Sequence, residues 1–172
     1  GVYVSRDSRR LVIANPARSE LGDAATLDVL DARLLIEPAL AGRAAKHGDA
    51  TQIAEIEAVL TAVAQAIAEG KEPTITQLNM RFHVMIARAA GNKVLTETLQ
   101  SITELYEPQQ RVIGRLYADP QHDHEEHVEI LAAIKARDEQ RASDLMRAHL
   151  EDVFTVVSEK LQSRRESPSE TN

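Results

Sequence analysis

The chain has 172 residues, 43% of them hydrophobic and 27% charged, with a formal net charge of −7. That length predicts one globular domain with a sizeable core, and the acidic balance argues against this stretch binding nucleic acid broadly. No cysteine is present, so disulfides and thiolate sites are excluded, and with no apolar run near the ~20 residues of a membrane span and no secretory signal, a cytoplasmic protein is expected.

Residues 1–22 differ from the rest. Gly1-Val2-Tyr3-Val4-Ser5 is β-branched and aromatic, and reads as a short strand without a partner. A polar stretch with Asn15-Pro16 reads as linker. With Gly1 in first position, the expectation is the remnant of a preceding domain.

From Asp23 the apolar period becomes helical. Leu27, Leu30, Leu34, Ala41 and Ala45 mark a first helix ending near His47-Gly48. Asp49 is placed to cap a second, carrying Ile53, Ile56, Leu60, Val63 and Ile67 and closed by Gly70. Thr74 or Thr76 is expected to cap a third, in which Leu78, Phe82, Ile86 and Ala89 recur up to Gly91-Asn92. A fourth is expected from Lys93 to Leu116, kinked at Pro108. After the Asp119-Pro120 turn, His127, Ile130, Leu131 and Ile134 fall on a fifth helix. Past Asp138, a sixth carries Ala142, Leu145, Met146, His149, Val153, Val157 and Leu161. The Ser/Pro/Glu-rich tail from Ser163 is expected to be disordered. With no strand pair after residue 22, the fold class is all-α: an antiparallel bundle of six to seven helices.

Three histidines share the apolar stripes of three of these helices: His83, His127 and His149. Asn79 precedes His83 by four residues, so both leave one helical face. A buried imidazole without a partner costs about 1–3 kcal/mol. Neutral imidazole is also a ligand for zinc, nickel, cobalt, manganese or iron, and three protein histidines with open positions resemble a catalytic or ligand-accepting site rather than a closed structural one. Against this stands the reading in which each is a satisfied core residue. His122 and His124 belong to the polar run Gln121–Glu126, read as a solvated helix start, with His124 as an extra ligand only through its spacing to His127. His47 reads as a charge at a helix C-terminus. Arg33 either clamps a carboxylate near a buried metal or stands exposed, paired with Glu37 at i+4; Arg111 and Arg115 carry the same ambiguity. There is no Glu-x-x-His pair, His-Glu-x-x-His, phosphate loop or nucleophile elbow.

Four segments resemble the effector-binding domain of GntR-type transcriptional regulators of the FadR-like branch, the FCD domain. They are Leu30-Asp31-Ala32-Arg33-Leu34-Leu35-Ile36-Glu37-Pro38-Ala39-Leu40-Ala41; Asn79-Met80-Arg81-Phe82-His83 with Ala89-Ala90-Gly91-Asn92; Glu126-His127-Val128-Glu129-Ile130-Leu131; and Met146-Arg147-Ala148-His149-Leu150. The resemblance spans residues 24–160, with the domain expected over 23–162 and the tail over 163–172. Gly1-Val2-Tyr3-Val4 resembles the last strand of the winged-helix wing that precedes this domain.

The resemblance implies a bundle around a central cavity, in which an acidic residue and three histidines hold a divalent cation that receives a small carboxylate effector. Asn79, His83, His127 and His149 match the metal positions, with zinc expected first and nickel, manganese or cobalt as alternatives. Asn79 departs from the family pattern, which usually has aspartate there. Arg33, Arg111 and Asn92 are expected to meet the effector, a sugar acid or hydroxy acid. The resemblance further implies a homodimer, operator DNA bound through the preceding domain, no membrane and no enzymatic activity. A metal-dependent hydrolase or lactonase and a metal-free helical interaction module are the competing readings.

Overall fold

The computed structural model describes residues 22–166. Among them seven helices follow one another: α1 (Asp23–His47), α2 (Ala50–Ala68), α3 (Glu72–Ala89), α4 (Lys93–Leu105), α5 (Glu107–Tyr117), α6 (Pro120–Lys135) and α7 (Glu139–Glu166). The fold is all-α, with no strand among the described residues. Of the strand and linker expected at 1–22, all but Gly22 lie outside them.

Local chemistry explains the boundaries. Asp49 and Gln52 form a reciprocal capping box at the start of α2. Asn92 caps α4 by accepting from Leu95 N at 3.1 Å, and Asp119 caps α6 by accepting from His122 N at 3.0 Å. Three expectations need correction. Helix α3 starts at Glu72 with Pro73 in its first turn, so neither Thr74 nor Thr76 caps it. The expected kink at Pro108 is a break: α4 ends at Leu105, and Pro108 stands in the first turn of α5, where its missing N–H costs nothing. The last helix runs to Glu166, through the start of the tail expected to be disordered, because Val157 and Leu161 keep it packed.

The helices enclose two main apolar cores and a small third, in which Leu40 of α1 meets Ala87 of α3, Ala90 just after that helix and Leu99 of α4. The larger joins Ala41, Ala44 and Ala45 of α1 to Ile56 and Leu60 of α2, Phe82 and Ile86 of α3, Ile130 and Ile134 of α6, and Met146 and Leu150 of α7. The smaller gathers Val29 and Leu30 of α1, Ile113 and Leu116 of α5, and Val153, Val157 and Leu161 of α7. Helices α1 and α7 run through both main cores and lie against each other along their length. Gly42 makes this approach possible, since a Cβ there would stand 2.9 Å from the Glu139 carbonyl oxygen.

The polar groups fall at the seam between the cores. On α1, Arg33 and Glu37 separate Leu30 from Ala41; on α7, His149 lies between Met146 and Val153. Burying these groups in the middle of a bundle is costly unless each finds a partner, so the seam is where the fold concentrates its chemistry.

Candidate metal centre

His83 from α3, His127 from α6 and His149 from α7 are all buried, and one ring nitrogen of each lies within 4.8 Å of the others. His127 Nε2 and His149 Nε2 are 3.2 Å apart. The three ring centroids are separated by 4.7 to 5.6 Å. Phe82 stacks on His127 at 4.3 Å and closes the apolar side of the cluster.

Two of the three rings are held from behind by carboxylates. Glu126 Oε2 lies 2.8 Å from His149 Nδ1. Glu37 Oε2 lies 2.5 Å from His83 Nδ1, a close ionic contact, though off the angle of an aligned hydrogen bond. Each carboxylate stands at Nδ1, the arrangement that orients histidine ligands in metal sites, and His149 Nε2 then faces that of His127. His127 Nδ1 is buried without a partner.

Burial keeps His83 and His127 uncharged. It pushes the His83 imidazole down to about 4, with Glu37 opposing only in part. Burial also lowers His127 well below the ordinary range, and the neighbouring histidines add to this. Burial would raise the Glu37 carboxyl, but the Arg33 guanidinium and His83 outweigh it and hold the acid at about 2. Neutral imidazoles beside ionised carboxylates are the protonation states a cation requires.

Arg33 is 3% exposed. Its Nε donates to Glu37 Oε1 at 2.7 Å and its Nη1 to Gln110 Oε1 at 3.4 Å, while Nη2 is buried without a partner. The expected i+4 pairing with Glu37 therefore exists, but buried rather than exposed.

Arg33, Asn79, His83, Asp123 and His149 line a cavity of about 50 Å³; His127 lies behind them. A second space of about 550 Å³ shares Glu72, Thr76, Met80 and Gln110 with the first, and Arg111 and Arg115 line it. Arg111 is exposed, bound to Glu107 at 2.5 Å, and stands on the wider space rather than beside the histidines. Asn92 lines neither cavity, because its side chain is committed to capping α4. His47 is exposed at the end of α1, and His122 stands 3.7 Å from Glu126 at the surface. His124 is partly buried and outside the cluster of three.

The sequence reading missed three acidic groups. Glu37 was legible only as a partner for Arg33, although an acid in the apolar run Leu34-Leu35-Ile36-Glu37-Pro38 signals a buried partner. Glu126 reads as the end of the solvated run Gln121–Glu126, yet it serves His149. Asp123 was assigned to a solvated run, whereas it is 8% exposed and lines the cavity.

Three buried imidazoles, carboxylates behind two of them and unpartnered polar atoms alongside fit a divalent cation.

A helical bundle built around a polar, histidine-lined cavity is a small-molecule-binding class of domain. The FCD domain family matches residues 28–152, and the chain belongs to that family. The Uxu operon transcriptional regulator of Escherichia coli (strain K12) is 27% identical over 158 residues, 89% of this chain and 62% of the regulator. Streptococcus agalactiae GntR is similar in structure with a TM-score of 0.67 at 27% identity, over 77% of this chain and 59% of that one. E. coli McbR/YncC has a TM-score of 0.68 at 19% identity, over 86% and 73%, a likeness of fold. The chain thus spans 62% of the curated relative's length and 59% of the S. agalactiae protein.

Proposed function

We propose that this chain is the effector-sensing domain of a DNA-binding transcriptional regulator, and that a small organic acid is received through a divalent metal held by His83, His127 and His149. One observation carries the reading: three buried imidazoles, two with Nδ1 against a carboxylate, meet beside an arginine whose Nη2 has no partner. Zinc is the first choice, with nickel, manganese or cobalt as alternatives. When bound, the cation supplies positive charge and open positions for oxygen ligands.

The residues divide the remaining work. Glu126 and Glu37 fix the rings of His149 and His83. Glu37 also holds Arg33, so that Nη2 can donate to an incoming carboxylate. The small cavity has room for a carboxylate and little more, since a water molecule's share of liquid volume is about 30 Å³. The 550 Å³ space beside it, with Thr76, Gln77, Thr103 and Gln110 on its walls, suits the hydroxylated body of a sugar acid or hydroxy acid.

The wider function rests on the relatives. Two are named as a transcriptional regulator and as GntR. In this reading operator DNA is bound by a winged helix outside the described residues, in a cytoplasmic homodimer, and this domain itself is not an enzyme. Glu126, the carboxylate next to His127 in sequence, is committed to His149 and Tyr117 rather than free as a base. No helix among the described residues is long and apolar enough to cross a membrane. Sensing requires the acid to bind the DNA-competent and incompetent states with different affinity.

Thermal melting with and without a chelator tests the metal. At a hundredfold excess over Kd, a bound ion adds about 2.7 kcal/mol, which in a domain of this size raises Tm by about 5–10 °C. Chelation should reverse that gain in the wild type and do nothing in His127→Ala. An equal response from both would exclude the histidine site.

A further inference from the structure

We propose that Asp123 of α6 is the carboxylate ligand of this metal site and that Asn79 of α3 is its anchor rather than a ligand. The inference rests on the metal reading above and goes beyond it by naming the fourth protein group and the helix that supplies it.

Geometry carries the assignment. Asp123 Oδ1 stands 3.9 Å from His127 Nε2 and 3.9 Å from His149 Nε2, facing the two closest ring nitrogens of the cluster equally. Those two nitrogens are themselves 3.2 Å apart. Atoms bound to one zinc ion at about 2.1 Å in tetrahedral geometry lie about 3.4 Å from each other, so these separations close onto a common cation with small shifts. Asp123 precedes His127 by one helical turn, which sends both side chains off the same face of α6. Its carboxyl is buried and lines the small cavity.

Asn79 is tied to Asp123 through the nitrogen of its amide, while its Oδ1 is buried without a partner. Its Nδ2 donates to Asp123 Oδ2, the oxygen farther from the ligand role. A carboxylate that ligates a cation is ionised, and against it the reverse orientation of the amide would set oxygen against oxygen, so the nitrogen is the end that faces Asp123. The amide thereby occupies one carboxylate oxygen and leaves the other directed at the histidines, as buried ligating carboxylates in metal sites are held by a neighbouring donor. The carboxylate also supplies negative charge that three neutral imidazoles cannot offer a divalent ion.

Cobalt(II) uptake by the full chain tests this. The chain contains no cysteine, so any thiolate–cobalt charge-transfer absorption reports a residue placed there by substitution. Asp123→Cys should bind cobalt and display that near-ultraviolet band; Asn79→Cys should bind cobalt without it. Asp123→Asn should weaken cobalt binding at least tenfold, as measured by chelator competition, and by more than Asn79→Ala does. A band in Asn79→Cys and none in Asp123→Cys, or Asp123→Asn binding within threefold of wild type, would overturn the assignment of Asp123 alone. Wild type that takes up no cobalt would overturn the histidine site itself, and the inference with it.

Discussion

Glu126 and His149 are joined across two helices, with Oε2 of the glutamate on α6 lying 2.8 Å from Nδ1 of the histidine on α7. Burial would raise this carboxyl, but the bond and charge interaction with His149, together with His122 and the Tyr117 hydroxyl, outweigh it and keep the group below the ordinary glutamate range. The contact fixes the ring's tautomer and turns Nε2 toward His127. Glu126→Gln removes the charge while keeping the shape. Zinc affinity by chelator competition should fall about 10–100-fold, the usual cost of losing such a partner. Unchanged affinity would mean that His149 is not oriented by this bond, or is not a ligand.

Arg33 and Glu37 form a buried pair, and breaking one by truncating the arginine would cost about 3–5 kcal/mol through the stranded charge. Arg33→Lys is the gentler probe, because it keeps the charge but loses the planar fork. Metal affinity should stay within about threefold of wild type, while affinity for the organic acid falls at least tenfold, about 1.4 kcal/mol. Equal acid binding by both proteins, read by calorimetry, would remove Arg33 from the acid's site.

Acid should unfold the metal-free protein. His83 titrates near 6.5 when unfolded and is held at about 4 by burial in the fold. Between those values the unfolded chain binds more protons, so stability rises with pH. Neutral burial of this ring is therefore without penalty above about pH 6.5, and stability is lost as pH falls from there toward 4, on the order of 3 kcal/mol for that group. His127 adds in the same direction. Glu37, held at about 2 against 4.5 unfolded, adds a further loss as pH falls below about 4.5. Urea unfolding from pH 7.5 to 4.5 should show a midpoint that falls with acid, and more shallowly in His83→Gln. A flat profile in wild type would contradict the neutral burial of His83 and His127.

The helices were legible because their apolar spacing is strong. Asp49, Asn92 and Asp119 stand where a cap is needed, and the structure uses each as one. The misjudged boundaries have physical causes. Pro108 looks like a kink in a continuous period, but Tyr106 leaves helical geometry before it, with φ −106° and ψ 27°. Val157 and Leu161 extend α7 beyond the polar composition of its end.

The histidines were legible for a related reason: an imidazole on an apolar stripe points inward. The carboxylates serving them were hidden by their neighbours. Asp123 and Glu126 share a run with Gln121, His122 and Glu125, and composition alone cannot say which members of a charged turn face the interior. The spacing Asp123-x-x-x-His127, repeating that of Asn79-x-x-x-His83, was the available signal. Asn92 shows the opposite failure, since its motif position suggested the effector and its side chain went to the backbone of α4.

The central claim is that metal and acid share one site. Calorimetric titration of a hydroxy acid or sugar acid into the chain, first zinc-loaded and then stripped by chelator, tests it most directly. The account predicts binding to the loaded protein and a loss of at least tenfold in affinity on stripping, with His127→Ala behaving as the stripped protein does. Equal affinity for the loaded, stripped and His127→Ala proteins would contradict it.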